Sequence, residues 1–540
     1  MELHPDEAYY WLYSRFLDWG YFDHPPMVAL FIKAGDLIIP SKLGLRLATI
    51  ITNTVSIYVL WQIVKRYSSN LKLFILLFLS ILLFHVYGFI TTPDSPLFFF
   101  SILFWYVYQR YLQEDSIKWS LYLSIIIACL LYSKYHGIVI LFFTILSNFK
   151  LLKKPSFWLI VSLSGILFIP HIWWQFANGF PSLHYHLIDR SANAYKYRYT
   201  TEYLLSQILI AGPLAGWFIY RSAVKVKLTD PFIKALYFNL LGIFTFFLLS
   251  TFKGRVEAHW TLIGFVPLFI LSYISLAQKN NIPKWFKKLA IANIILILLA
   301  RFILIVPIPR IKDLKAVDYY RGNEKWANQI HAKARDEFVI FQDGFQDASM
   351  YDYYNRTIRG LAYDSRYYRK TQFDIWPLED SLRNKKAYYI LNSSHGENVQ
   401  EDTIRTSKGV FFGQWIDKVR LYQKVMITAE PMPANWKTGE IRTLNLKIYN
   451  PYKDTITFNN EGEKWKCYLE YSFIKAGELQ GFKSLANSFK KLTILPRQTT
   501  KISGNVQALL QPGKYKLIFS IITEPFPGAR NSNMLPVNVK

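Results

Sequence analysis

The sequence predicts a polytopic α-helical membrane protein that ends in an α/β region and a β-sandwich. Three observations carry this expectation. Long apolar runs fill the 540-residue chain up to Val306 and almost none follow, and 52% hydrophobic with 17% aromatic residues is too apolar for one ordinary soluble domain. Basic residues gather in alternate short loops between those runs, where they set topology. Beyond about Val419 apolar residues recur with period two, as in Thr443-Leu444-Asn445-Leu446-Lys447-Ile448-Tyr449, the pattern of half-buried strands.

The chain opens on His4-Pro5-Asp6-Glu7-Ala8-Tyr9-Tyr10-Trp11 and continues through Gly20-Tyr21-Phe22-Asp23-His24-Pro25-Pro26. Asp6 is expected to start a helix, since its side chain can accept from a free N–H of the first turn. Helical spacing then puts Ala8, Trp11, Leu12, Phe16 and Trp19 on one face and Glu7, Ser14 and Asp18 on another. That pattern predicts an interfacial helix with its acids facing water. Taken alone, an Asp-Glu pair such as Asp6-Glu7 is more often nothing beyond a cap and a favourable charge on the helix dipole, and the rest of the chain shifts that balance.

Residues 27–39 form a short apolar segment interrupted by Lys33 and Asp36, read as juxtamembrane. Apolar runs follow at 43–64, 73–90, 97–108, 119–132, 137–149, 157–176, 203–220, 232–250, 261–277 and 289–306. The expectation is about ten spans, several of them short enough to need tilt or re-entrance. Lys65, Arg66 and Lys72, then Lys150, Lys153 and Lys154, then Arg221, Lys225 and Lys227, then Lys279, Lys284, Lys287 and Lys288 occupy alternate loops, which are expected to be cytoplasmic. The loops carrying Asp6 to His24, Asp94, Lys134, residues 178–202 and Lys253 to Glu257 then share the outer side with the tail. Few polar residues of opposite sign at one membrane face suit a charged, membrane-bound substrate.

Three domains are expected: a membrane domain at 1–306 with an outer catalytic loop at 4–26, an α/β region at 307–415 and an immunoglobulin-like sandwich at 416–540. The formal charge of +26 does not indicate nucleic acid, because the basic residues set topology instead of forming a stripe on a soluble fold. Cys129 and Cys467 are not expected to form a bridge, and no zinc-type Cys/His spacing occurs. The opening residues lack the basic and apolar regions of a cleavable signal peptide.

These words resemble the GT-C type glycosyltransferases that use polyprenyl-phosphate sugars, in particular bacterial relatives of the dolichyl-phosphate-mannose protein mannosyltransferases and the lipid A aminoarabinose transferases. The resemblance covers roughly the first 300 residues. An Asp-Glu pair in the first outer loop is matched by Asp6-Glu7 in HPDEAYYWLYSRFLDWGYFDHPP, a later acid by Asp94 in TPDSPLFFF, a lysine before glycine by Lys134 in SKYHG, and a basic outer motif by Lys253, Arg255 and Glu257 in KGRVEAHW. His24 stands where a basic residue often precedes the first-loop PP. Relatives carry a membrane helix ahead of the Asp-Glu loop, so either that helix has been lost here or, the favoured expectation, the start lies further upstream than Met1.

The resemblance implies a bacterial inner-membrane hexosyl- or pentosyltransferase that moves a sugar from a polyprenyl phosphate to an extracytoplasmic lipid, glycan or protein with inversion. Asp6 would be the base for the acceptor hydroxyl, with Glu7 as helper or acceptor ligand. Lys134, Lys253, Arg255 and His24 would neutralise the leaving phosphate. Asp94 and Glu257 would position sugar or acceptor; Asp94 could also be a retaining nucleophile, which nothing favours. Each has a plainer reading: Lys134 as a snorkelling span end, Lys253, Arg255 and Glu257 as a surface ion-pair cluster, Asp94 as a helix cap. No cofactor is assigned, and a divalent metal on Asp6, Glu7 or a histidine stays open. The alternative from another class is a transporter or flippase of a lipid-linked anion, for which repeated halves with broken helices would be expected. A third reading, an envelope binding protein that works through its tail, requires the tail alone to carry the function.

Overall fold

Helices fill the first of two units in the computed structural model, Met1–Arg321, and sheets dominate the second, Gly322–Lys540. The structure describes residues 1–189, 195–278, 282–306, 315–391, 401–475, 478–485 and 487–540. Lys279 and the expected domain boundary at 306/307 touch stretches outside the described residues.

The first unit contains α1 (Pro5–Arg15), α2 (Met27–Ile38), α3 (Lys42–Val64), α4 (Leu71–Ser80), α5 (Leu82–Tyr87), α6 (Asp94–Gln113), α7 (Ile117–Ser133), α8 (Gly137–Ser147) and α9 (Pro155–Ala177). After these come α10 (Pro181–His184), α11 (Tyr197–Ala211), α12 (Gly216–Val224), α13 (Pro231–Ser250), α14 (Leu262–Ala277), α15 (Lys284–Ile305) and α16 (Lys315–Asp318). Helix α1 starts differently from the sequence expectation: His4, not Asp6, is the cap. The His4 imidazole accepts from the Asp6 N–H at 3.2 Å while Glu7 accepts from the His4 N–H at 2.9 Å, a reciprocal capping box with Pro5 at the first helical position.

Nor is α1 interfacial. Glu7 and Ser14 are buried along with Ala8, Trp11 and Leu12, and the helix ends at Arg15, leaving Phe16 at its C-cap and Trp19 beyond it. The polar tips of its aromatic residues find partners inside the protein: Tyr9 donates to Asp23 at 2.9 Å and Trp11 donates to Asp36 at 3.2 Å. Asp36 also pairs with Arg15. An aromatic residue with a satisfied polar tip can be buried on any face, which removes the need for a water-facing side.

Two expected single spans are broken. The run at 73–90 forms α4 and α5 with a break at Ile81, and the run at 203–220 forms α11 and α12, bent by 93°. By length and hydropathy five helices among the described residues can cross a membrane, or six if the bent pair is one span. The expected count of about ten is not confirmed by this measure. Helix α14 lies at the centre, with Phe265, Phe269 and Ile270 wholly buried among the other helices.

In the second unit α17 (Asn323–Ala334) precedes β1 (Phe338–Gln342), α18 (Phe345–Asn355) and β2 (Gly360–Tyr363), then come α19 (Leu378–Leu382), β3 (Ala387–Leu391), β4 (Asp402–Thr406) and β5 (Gly409–Ile416). Their sheet runs β2-β1-β3-β5-β4, with β2, β1 and β3 mutually parallel and the rest antiparallel. The sandwich follows with β6 (Met426–Ala429), β7 (Asn435–Trp436), β8 (Ile441–Tyr449), β9 (Ile456–Thr457), β10 (Cys467–Lys475), β11 (Glu478–Ser484), β12 (Thr493–Ile494), β13 (Thr499–Gln507), β14 (Gly513–Thr523) and β15 (Leu535–Val539). One sheet runs β11-β10-β14-β15-β7 and the other β13-β8-β6. Leu444, Leu446 and Ile448 on β8 point inward against Leu469 and Phe519 of the facing sheet, while the residues between them face water. Arg366 pairs with Glu470 at 2.6 Å and Tyr452 donates to Glu379 at 2.5 Å, so the α/β sheet and the sandwich are bonded into one unit.

Candidate active site

The first turn of α1 presents two adjacent carboxylates with opposite surroundings. Glu7 is wholly buried: Oε1 accepts from Arg46 Nε at 2.7 Å and from the Thr91 N–H at 3.0 Å, and Oε2 accepts from Arg46 Nη2 at 2.6 Å and from the His4 N–H. A guanidinium fork cancels its charge and backbone donors fill its other lone pairs. Asp6 is 35% exposed, with Oδ2 3.6 Å from His4 Nδ1. Glu7 thus ties three pieces together: the start of α1, the α3 residue Arg46 and the loop leading to Asp94.

Asp94 begins α6 and Lys134 caps the C-terminal end of α7. Both are buried, and Lys134 Nζ donates to Oδ1 at 2.9 Å and to Oδ2 at 2.8 Å of Asp94. His259 Nε2 lies 3.8 Å from the same carboxylate. Tyr87, half-buried, lies within the electrostatic reach of Asp94, Asp6, Tyr320 and Glu257. Tyr10 lies within reach of Asp6, Asp23 and Asp94. Four of the sequence-expected residues, Asp6, Glu7, Asp94 and Lys134, therefore gather at one end of the helices, with Glu257 near them.

Lys253 and Arg255 sit on the exposed turn after α13; Arg255 is 66% exposed, with Nε 3.8 Å from Glu257 Oε1. His24 is half-buried, its ring centre 5.9 Å from that of Tyr10 and 6.2 Å from that of His186. The loop carrying it is pinned from behind. His171 Nδ1 meets the Trp19 carbonyl at 2.7 Å, Trp174 donates to Asp18 at 2.8 Å and Ser182 donates to the Tyr21 carbonyl at 2.9 Å. A Cβ on Gly20 would come within 2.5 Å of Trp174 and 2.9 Å of His171, so only glycine permits this approach.

Sequence reasoning did not single out Arg46, Tyr87, Asp23 or His259. Arg46 had a usable signal, a lone arginine inside the apolar run Leu43-Gly44-Leu45-Arg46-Leu47, because a charge at such a place needs a partner. Tyr87 had none, being one tyrosine among 37. Among the described residues no three His, Cys, Asp or Glu side chains are grouped so as to hold a metal ion.

The comparisons with known proteins agree on a fold. The membrane unit has a GT-C fold: the chain superposes on ArnT from Cupriavidus metallidurans in the apo state with a TM-score of 0.54 at 15% identity, covering 76% of this chain and 94% of that one. The same protein bound to undecaprenyl phosphate superposes with a TM-score of 0.55 at 16% identity, with the same coverage. Residues 23–174 match the family model of dolichyl-phosphate-mannose-protein mannosyltransferase, a stretch holding His24, Arg46, Asp94 and Lys134 and beginning after Asp6 and Glu7. A search of curated proteins gives no match.

Proposed function

We propose that this chain is an integral membrane glycosyltransferase that moves a sugar from a polyprenyl-phosphate donor to an acceptor on the outer face of a bacterial inner membrane, with inversion. The observation that carries the reading is the contrast in the first turn of α1: Glu7 is locked by Arg46 and backbone N–H groups, while the Asp6 side chain beside it stays 35% exposed. A general base must be reachable by its substrate, and a rigid neighbour keeps it aimed.

In this reading Asp6 takes the proton of the acceptor hydroxyl as its oxygen attacks the anomeric carbon, and the carbon–oxygen bond to phosphate breaks with its electron pair leaving on the polyprenyl phosphate. Arg255 and Lys253, on the exposed turn, meet the growing phosphate charge, and Arg255 can do so with two N–H groups at once. Lys134 already donates twice to Asp94, so the pair enters as a nearly neutral unit that orients sugar hydroxyls, with one Lys134 N–H to spare. Glu7 acts through position, not by contact. His24 and Glu257 flank the donor and acceptor sides. The acceptor class, lipid, glycan or protein, follows from which molecule loses a sugar when the gene is deleted, read by mass spectrometry of envelope fractions.

The transporter alternative needs broken helices that frame an open polar site. Two broken helices exist here, but Asn293 of α15 closes their junction, bonding the Ser80 carbonyl at 2.7 Å and the Leu214 N–H at 3.1 Å. The deciding experiment is transfer of labelled sugar from synthetic polyprenyl phosphate by the purified chain. Asp6→Asn is expected to remain folded and lose roughly 10²- to 10⁴-fold in turnover; unchanged turnover would remove Asp6 as the base.

A further inference from the structure

We propose that the seam between α5 and α15 is a binding site for the phosphate headgroup of an anionic membrane lipid, held by Arg301. Helix α15 is the least buried of the five candidate spans. Arg301 interrupts its apolar run, and Leu298 and Ile305, which share its face three residues before and four after, are 53% and 61% exposed. This face looks into lipid. Half-buried there, Arg301 donates through Nη2 to the His85 carbonyl at 3.0 Å, and its Cζ lies 6.0 Å from the centre of the Phe89 ring.

It has no carboxylate partner among the described residues. Other cations of this unit do: Arg46 faces Glu7, Lys134 faces Asp94 and Arg15 faces Asp36. A guanidinium has five N–H groups, and one that borders hydrocarbon without a counter-ion is costly. Among the described residues nothing supplies that counter-ion, and an anionic headgroup from the surrounding lipid would. Four residues from the end of α15, at 1.5 Å per residue, the Arg301 backbone sits about 6 Å below the helix end, close enough for its long side chain to reach up toward lipid phosphates at the interface. Arg321 stands at the same end, donating to the carbonyls of Ile303 at 3.0 Å and Val306 at 2.6 Å, again with no carboxylate partner among the described residues. Two guanidiniums fastened only to carbonyls, beside a lipid-facing apolar wall, match a molecule that brings both a phosphate and acyl chains.

The site adjoins the candidate active site but uses other groups: the Phe89 ring has Arg301 Cζ at 6.0 Å and, at 4.8 Å, the Cζ of Arg46, whose guanidinium is already taken up by Glu7. The proposal does not rest on the transfer reading. It is tested on the purified full-length chain in a maltoside detergent, titrated with dioleoylphosphatidylglycerol and, separately, with inorganic phosphate, while lipid retention is read by native mass spectrometry and stability by thermal unfolding. Phosphatidylglycerol is expected to be retained and to raise the unfolding temperature, inorganic phosphate to do neither, and Arg301→Gln to retain about tenfold less lipid, the loss of one charge-assisted contact. Asp6→Asn should retain as much lipid as the natural chain, which separates failure of this site from failure of the catalytic reading. Equal retention by Arg301→Gln, or equal stabilisation by inorganic phosphate, overturns the proposal. Should Arg301→Gln not fold, a phosphatidylglycerol with a photoreactive headgroup decides on the natural chain: labelling within residues 82–89 or 298–305 supports the site, and labelling elsewhere overturns it.

Discussion

Arg46 and Glu7 form the contact from which the candidate site is built. Removing the guanidinium leaves a carboxylate at 0% exposure without its counter-charge, a change that typically costs about 3–5 kcal/mol. Arg46→Met is therefore expected to lower the unfolding temperature sharply in detergent, and the double variant with Glu7→Gln should recover a large part of the loss, measured by thermal unfolding of all three. Arg255 belongs to a different class, being exposed and ordered by a 3.8 Å contact with Glu257. Arg255→Ala should leave stability nearly unchanged and raise the donor concentration needed for half-maximal transfer; an unaltered donor dependence would argue against its phosphate role. At this scale the Asp-Glu pair, Asp94 and Lys134 were legible because few ionised residues stand at the ends of apolar runs. Which carboxylate stays reachable was not, since it depends on Arg46 arriving from a helix 39 positions away along the chain.

Elements were legible where length and periodicity agree. Helix α3 occupies Lys42–Val64 against the expected 43–64, and β8 (Ile441–Tyr449) contains the alternating run at 443–449 that announced it. The breaks in α4/α5 and α11/α12 were hidden, because an apolar average passes over the breaker pair Gly212-Pro213. Gly212 has a φ of +125°, and a Cβ there would stand 2.6 Å from the Ser80 carbonyl oxygen, so the two breaks touch. Asn293 satisfies both, and Asn293→Ala leaves the buried Ser80 carbonyl and the half-buried Leu214 N–H without their partner. A loss of about 1–3 kcal/mol for each unsatisfied group is expected, read as a lower unfolding temperature; an unchanged value would show that the backbone closes the seam unaided. The interfacial reading of α1 failed for a related reason: tyrosine and tryptophan tips satisfied by Asp23 and Asp36 let all faces of a helix be buried.

The two units differ in what pH should do to them. In the second unit burial pushes the carboxyls of Asp352, Asp364, Asp374 and Glu379 up from their usual range. A carboxyl raised on folding binds its proton more tightly in the native state. Its contribution is complete below the unfolded value of about 4 and is lost as pH rises through the folded value. Asp364 accepts from the Gly344 N–H at 2.9 Å and from Thr371 Oγ1 at 2.7 Å, and an asparagine keeps the first bond and reverses the second. Asp364→Asn is thus expected to gain unfolding temperature relative to the natural chain as pH is raised from 5 to 8, followed by thermal unfolding of the full chain; a gap that does not change with pH would contradict the shift.

By itself the sequence determined the division into an apolar helical part and a sheet-rich tail, and it marked the ionised residues worth following, because transfer of side chains from water depends on composition and period alone. Only the tertiary structure decided that Glu7 is a strut and Asp6 the more exposed acid, that Lys134 is already bound to Asp94, that two expected spans are broken, and that Arg301 has no carboxylate partner among the described residues. Those properties depend on which charges and backbone groups meet across distant segments, and electrostatic energy is set by distance in space and by burial, not by spacing along the chain.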